Sequence, residues 1–363
     1  MADTGRRSRR KQRISLITNI IFCLITLSAL TGCIVLVLQN YGLKNKAQEA
    51  MSQLSAYEER DAKYIYTQTD VDSFVSEASE TANEEGKREI LNEVKSQMSS
   101  GSSASELLRG LFPEDVVVYA DGQYSFFPIS ETLKKHDYVY DNFILKDDQE
   151  VVYVDDTDQV LSRKGIDVSK HQGKINWKKV ASDGVEYAFI RAGYRGSSEG
   201  TLVEDETFQA NIKGAAENGI DVGIYFYTQA MTEAEAVEEA QFVLELIKDY
   251  KVQYPVVLDL EEVESDTART ASMTREEYTR AALAFLDTIK NAGYTPMIYG
   301  NLKTFMIMLD LKELEEYDKW FAYYNEPVYF PYEFTIWQYT SKGKVNGIDG
   351  NVDLNVGMKV YGE

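Results

Sequence analysis

The stretch YPVVLDLEEVES, residues 254–265, runs from apolar to acidic within a few residues. Val256, Val257 and Leu258 lead into Asp259 and Glu261, with Glu262 and Glu264 beyond. A β-strand turns successive side chains to opposite faces, so Asp259 and Glu261 point the same way with Val257 below them. At ~3.3 Å rise per residue their Cα atoms stand about 6.5–7 Å apart. Carboxyls crowded at the end of a buried strand raise each other's pKa, which keeps one protonated near neutral pH. One protonated acid beside an ionised one is the pairing that hydrolyses glycosidic bonds. A lone D-x-E also serves as a solvated strand edge or a helix cap, and carboxylate oxygens suit hard cations. The pair therefore needs support from the elements that carry it.

Those elements are regular from Lys164 onward. Short apolar strands are predicted over 165–169, 187–194, 221–228, 254–261, 295–300, 319–325, 334–340 and 352–356. Amphipathic helices are clearest over 205–218, 232–250 and 274–292; each follows Asp or Thr, and two end near Gly219 and Gly293, as caps require. Alternating β and α with buried strands implies a parallel sheet. About eight strands, with helices lost towards the end, predict an α/β fold: a modified TIM-like (β/α) barrel. An open doubly wound sheet is the alternative, but no Gly-rich phosphate loop follows the first strand.

In a barrel the site lies at the C-terminal ends of the strands. Asp167 ends the first strand, Tyr225 and Tyr227 the third, Asp259 and Glu261 the fourth, and Tyr299 the fifth. Tyr323, Tyr324 and Asn325 end the sixth, Trp337, Gln338 and Tyr339 the seventh, and Asp353 lies in the last. Four acids thus share one rim with aromatic faces that suit pyranose rings, although many of those aromatics are plain core. The two histidines, His136 and His171, are too few for a zinc hydrolase, and no G-x-S-x-G elbow points to a serine hydrolase.

The net charge of −21 argues against nucleic acid as the main partner, which wants a basic face. The charge is uneven: residues 1–13 form a basic tail of +5, leaving −26 on the remainder. Residues 14–38 contain no charged side chain and are long enough to cross the ~30 Å hydrocarbon layer as a transmembrane helix. The basic tail then stays in the cytoplasm, with everything after Gln39 outside and a lipid bilayer as partner of residues 14–38. A signal peptide has a shorter apolar core, about 7–15 residues. Leu30–Cys33 (LTGC) resembles a lipoprotein processing site, but Ile34–Leu38 continues apolar. Cys23 and Cys33 both lie in this segment, so the region beyond has no disulfide or cysteine nucleophile.

Residues 39–110 are expected to form a helical stalk. Leu43, Ala47, Ala50, Leu54 and Tyr57 are heptad-like until Asp61, a pattern that fits weak self-association. A second helix is expected from about Asp70 to Met98, and SSGSSAS (99–105) reads as a flexible break. Residues 111–163 form a small β-rich module, with VVVYADGQYSFFPI turning at Asp121-Gly122. It is expected to be a spacer with some packing of its own.

Four motifs now fall in order: KGIDVSKHQGKINW (164–177), VVLDLE (256–261), IYG (298–300) and WQYTSKGKVNGIDGNVDLN (337–355). Together they resemble the lysozymes of glycoside hydrolase family 25, the N-acetylmuramidases, over about residues 164–361. The resemblance implies a barrel of five β/α units with a mostly β remainder. It implies cleavage of the β-1,4 bond between N-acetylmuramic acid and N-acetylglucosamine, with peptidoglycan glycan strands as partner and no cofactor. By motif, Glu261 matches the general acid, and Asp259 sits beside it holding a water or the substrate's acetamido group. Asp167 and Asp353 match the other two acids of the cleft, and Tyr225, Tyr299, Trp337 and Gln338 are the implied substrate contacts. Many members carry Trp where this chain has His171, read here as a loop histidine bonded to backbone. Retaining, inverting and substrate-assisted routes stay open, because a Cα spacing does not give the separation of the carboxyls. Topology places the barrel outside a bacterial cell membrane, facing the wall it would remodel. The reading from another class is a module that grips glycan without cutting it.

Overall fold

The structure, a computed structural model, describes residues 44–51, 68–146, 150–263, 265, 267–324 and 327–362. The chain divides into two compact units, Met1–Val117 and Val118–Glu363.

In the first unit residues 44–51 are helical, and Lys46 pairs with Glu85 at 2.8 Å. Helix α1 spans Gln68–Ser99. It buries Ala82 and Ile90 and exposes Val71, Phe74 and Val75. The serine-rich stretch is a tight turn between helices. Gly101 takes φ +88°, and Ser103 opens α2 (Ala104–Leu111) with a capping box to Glu106. The basic tail, the apolar segment 14–38, and Leu43, Leu54 and Tyr57 of the heptad pattern lie outside the described residues. Among the described residues no helix is long and apolar enough to cross a membrane.

The second unit begins within a hairpin, β1 (Asp115–Ala120) and β2 (Gln123–Pro128). Its turn falls where the sequence placed it. Asp121 (φ 52°) and Gly122 (φ 74°) are both left-handed, as a two-residue type I′ turn demands. A second pair, β3 (Phe143–Leu145) and β4 (Val151–Tyr153), is antiparallel. From Val118 on, the stretch read as a spacer lies against the barrel within the same compact unit. The Tyr138 hydroxyl donates to the Phe334 carbonyl at 2.8 Å, His136 Nε2 meets the Phe330 carbonyl at 2.9 Å, and the Phe143 ring packs edge-on to Trp337.

All eight predicted barrel strands form: β5 (Arg163–Val168), β6 (Tyr187–Arg195), β8 (Asp221–Tyr227), β9 (Val256–Asp259), β10 (Pro296–Asn301), β11 (Asp318–Ala322), β12 (Ile336–Gly343) and β13 (Val352–Gly357). A short strand the sequence did not signal, β7 (Leu202–Glu204), pairs with the end of β6. Helices α3 (Trp177–Ser182), α4 (Phe208–Glu217), α5 (Glu233–Ile247) and α6 (Arg275–Asn291) follow β5, β6, β8 and β9. Among the described residues, the only helical segment after β10 is a π-type turn, Thr304–Met308. The ring β5-β6-β8-β9-β10-β11-β12-β13 closes because β13 pairs with β5. The sheet is not wholly parallel as the alternation implied: β13 runs antiparallel to both neighbours. Residues 344–351 are too few for a parallel crossover and suffice only for a return.

The lower barrel interior is filled by aromatics. Tyr187 stacks on Tyr254 (4.5 Å) and Phe189 on Trp320 (4.4 Å). Glycines make room for them: a Cβ on Gly165 would lie 2.0 Å from the Tyr187 ring, and one on Gly223 2.4 Å from Phe189.

Candidate active site

Above this plug, the inward-facing residues at the cleft end of most strands are polar. Asp167 (β5), Arg191 (β6), Tyr225 (β8), Asp259 (β9), Tyr299 (β10), Gln338 (β12) and Asp353 (β13) line a cleft of about 480 Å³. Glu261 joins them from just past the end of β9, one strand step beyond Asp259. Its position is set by its neighbour Leu260, whose N–H donates to the Tyr299 carbonyl and whose carbonyl accepts from the Thr304 hydroxyl at 3.1 Å.

A chain of hydrogen bonds ties the plug to the cleft floor. The Trp320 indole donates to Asn355 Oδ1 (2.7 Å), and Asn355 Nδ2 donates to Asp167 Oδ2 (2.8 Å). Gln338 Nε2 donates to the same oxygen at 2.9 Å, while Gln338 Oε1 accepts from the hydroxyls of Tyr299 and Tyr324. Donors on the carbonyl side of each amide thus fix both amide groups with their N–H toward Asp167. By contrast, Oδ1 of Asp259 is buried and has no hydrogen-bond partner among the described residues.

Every one of the four acids is pushed towards its protonated form. Burial dominates for Asp259, joined by the charges of Glu261 and Asp167 and opposed by the Arg191 guanidinium. Burial and then Asp353, its direct cross-strand partner, raise Asp167 against the hydrogen bonds of Asn355 and Gln338. Burial raises Glu261, partly offset by the Tyr299 hydroxyl. Burial lifts Asp353 to about 6. Such a cluster cannot be fully ionised at neutral pH.

This costs stability in a definite direction. Asp353 titrates near 6 in the folded chain and near 3.8 when unfolded. Between those values the folded state holds the extra proton, so stability is full below pH 4 and is lost as pH rises to 6. The loss at pH 7 is on the order of 2–3 kcal/mol. Asp353→Asn is therefore expected to melt several degrees above wild type at pH 7 and level with it at pH 4. Thermal melts at the two pH values test this; an equal shift at both would show that burial of charge is not the cause.

Seven of the eight singled-out residues meet here, and Trp337 does not. It is 1% exposed, donates its indole N–H to the Tyr323 carbonyl at 2.7 Å, and packs on Phe143. Strand parity is the reason: Gln338 faces inward, so Trp337 must face out. Asn325 and Glu264 lie outside the described residues. The ring of His171 stands exposed on the cleft wall; the hydrogen bond in its turn comes from its backbone N–H, donated to Ser169 Oγ. Sequence reasoning missed Arg191, held by Asp205 (Nε–Oδ2 2.8 Å), and Asn355. The signal was available: Arg191 follows Tyr187 and Phe189 at alternate positions of a mostly buried strand.

Residues 166–348, just over half of the chain, match glycosyl hydrolases family 25. The uncharacterized protein YegX of Escherichia coli K12 is 30% identical over 200 residues, which cover 53% of this chain and 68% of that one. Lysozyme M1 of Streptomyces globisporus is 29% identical over 205 residues, covering 53% and 66%. The modular autolysin LytC of Streptococcus pneumoniae, solved with a synthetic peptidoglycan ligand, superposes with a TM-score of 0.50 at 29% identity, over 66% of this chain and 57% of that one. The chain thus spans little more than half the length of that autolysin. By its matched barrel, the chain belongs to glycosyl hydrolases family 25.

Proposed function

We propose that the chain is an N-acetylmuramidase that cleaves the β-1,4 bond between N-acetylmuramic acid and N-acetylglucosamine in peptidoglycan. The observation that carries this reading is the meeting of four proton-retaining carboxyls in one cleft of a family 25 barrel. Glu261 is the general acid. Its raised pKa keeps a proton available for the leaving oxygen near neutral pH. Asp259 orients the substrate's acetamido group or a water through its unpartnered Oδ1. That role asks Asp259 to ionise while Glu261 stays protonated. Arg191 works towards this split, since its charge lowers Asp259 against the larger effect of burial. Asp167 and Asp353 form the opposite wall, with Tyr225, Tyr299 and Gln338 as sugar contacts.

Residues 14–38 anchor this barrel in a bacterial cell membrane with the N-terminus in the cytoplasm, which confines hydrolysis to nearby wall. The heptad-like spacing of Leu43, Ala47, Ala50, Leu54 and Tyr57 supports a weak self-association of the stalk.

The test is a digest of purified peptidoglycan by the full chain. New reducing ends on muramic acid are expected, with or without a chelator. Reducing ends on glucosamine would reassign the bond. Binding without any new ends would make the barrel a module that only grips glycan.

A further inference from the structure

One hydroxyl in the cleft stands between two acceptors. Tyr299 of β10 is the register partner of Asp259 on β9, and its carbonyl accepts from the Leu260 N–H. Its side chain and that of Glu261 line the same cleft. The ring is fixed: Tyr299 is 7% exposed and packs edge-on to Trp320 at 4.6 Å. Its hydroxyl donates to Gln338 Oε1 at 2.9 Å and also hydrogen-bonds the Glu261 carboxyl. A phenol has a single O–H to donate. Tyr299 therefore serves one of these acceptors at a time.

The surroundings make an exchange between them easy. Gln338 Oε1 has a second donor, the Tyr324 hydroxyl at 2.7 Å, and the other end of the amide is pinned to Asp167 Oδ2 at 2.9 Å. Releasing Tyr299 thus leaves no buried acceptor bare. Burial, and then the charge of Glu261, push the Tyr299 hydroxyl well above the usual phenol range, so it keeps its proton and only turns it. While Glu261 is protonated, its own O–H faces the glycosidic oxygen and Tyr299 donates to Gln338. Once Glu261 is an anion it is the better acceptor, since hydrogen bonds to an ionised group are roughly twice as strong.

We propose that Tyr299 is a positioning residue for the acid: its hydroxyl proton swings from Gln338 Oε1 to Glu261 as Glu261 gives its own proton to the leaving oxygen, and swings back when Glu261 is reprotonated. No proton leaves Tyr299; the leaving sugar takes the one Glu261 held as the C–O bond breaks. This rests on the muramidase reading and adds to any sugar contact of Tyr299 a hold on the ionised acid.

Tyr299→Phe keeps the ring and its packing and removes the swing. The other titratable groups that face Glu261 stay in place. Asp259 lies beside it, and Asp167, His171 and Asp353 come from β5, the turn after it and β13. Arg191, Tyr225 and Tyr227 come from β6 and β8, Tyr324 follows β11, and Tyr278 of α6 lies behind. The experiment follows the Glu261 carboxyl of the substrate-free full chain by NMR, with isotope-labelled glutamate and Glu261→Gln to assign the signal. It should titrate about one pH unit higher in Tyr299→Phe than in wild type, a ten-fold weaker acid. On peptidoglycan, kcat should fall several-fold at little-changed KM, and its alkaline limb should move up with the titration. A Glu261 titration that does not move, or a loss confined to KM, overturns the swing and leaves Tyr299 a sugar contact of an intact muramidase. A wild type that cuts no peptidoglycan overturns the muramidase reading, and the swing with it.

Discussion

Glu261→Gln is expected to leave a folded barrel with almost no turnover. Glutamine keeps the shape of glutamate but has no proton to give the leaving oxygen. General acid catalysis is worth about 10²–10⁴-fold, so kcat should fall by at least that range with KM little changed. The pH profile carries the sharper signature. A general acid works only while protonated, so wild-type activity falls as pH rises through the pKa of Glu261, which burial holds above the ordinary carboxylate value. The variant's residual activity should lack that alkaline limb. Steady-state digestion of peptidoglycan across pH reads both effects. Near-normal turnover in the variant would transfer the acid's role to Asp259 or Asp353.

Most of what positions Glu261 was legible in the sequence, because the barrel strands are buried on both faces and so read as continuous apolar runs. Val256–Asp259 is buried at every position, with Val257 and Asp259 inward and Val256 and Leu258 outward. Such runs show where a strand lies but not which parity faces the interior. That is why Trp337 and Gln338, adjacent at one strand end, were both placed in the cleft when only one can be. Parity is decided by closure: Gln338 is the register partner of Asn355, and Asp353 that of Asp167. Short elements were missed for another reason. Leu202–Glu204 has three residues and Trp177–Ser182 six, too few for a period to emerge. Arg191 was overlooked because a charged residue within an apolar strand was absorbed into the strand.

Arg195→Met is expected to give the largest loss of stability. Arg195 is 4% exposed and pairs with the fully buried Glu239 (Nε–Oε1 2.7 Å), while its other nitrogens donate to the carbonyls of Gly200 and Glu235 and to Glu238. Glu239 also accepts from the Thr228 hydroxyl at 2.6 Å. Removing one partner of a buried pair costs about 3–5 kcal/mol, because the other is left uncompensated. For a unit of this size that is roughly a 10 °C fall in Tm. Glu239 already titrates near 7 under burial, even with Arg195 beside it. Without the guanidinium its pKa rises further above its unfolded value, so the deficit should shrink as pH falls and Glu239 becomes neutral. Arg195→Met/Glu239→Leu should recover most of the loss, since an apolar pair of similar volume replaces the ion pair. Melts of both variants at pH 5 and 7 check the argument. A single variant within 1 kcal/mol of wild type would sink it.

The same knot reaches the cleft. Arg269 donates to the Gln229 carbonyl and to Glu235, and the Thr270 hydroxyl donates to Gln229 Oε1, so the segment following Glu261 is fastened to the end of β8 and to α5. Loosening it should also lower kcat in Arg195→Met.

The last strand, β13, has a consequence for when this enzyme can exist as an enzyme. It is the piece that joins β12 to β5, linking residues 352–357 to residues 163–168 across almost the whole length of the barrel sequence. It also supplies Asp353 and the Asn355 amide that holds Asp167. A growing chain that ends anywhere before residue 352 therefore has an unclosed sheet, exposed strand edges on β12 and β5, and only three of the four acids. The cleft with all four acids is therefore complete only once residues 352–357 have been added and have paired with β5 and β12.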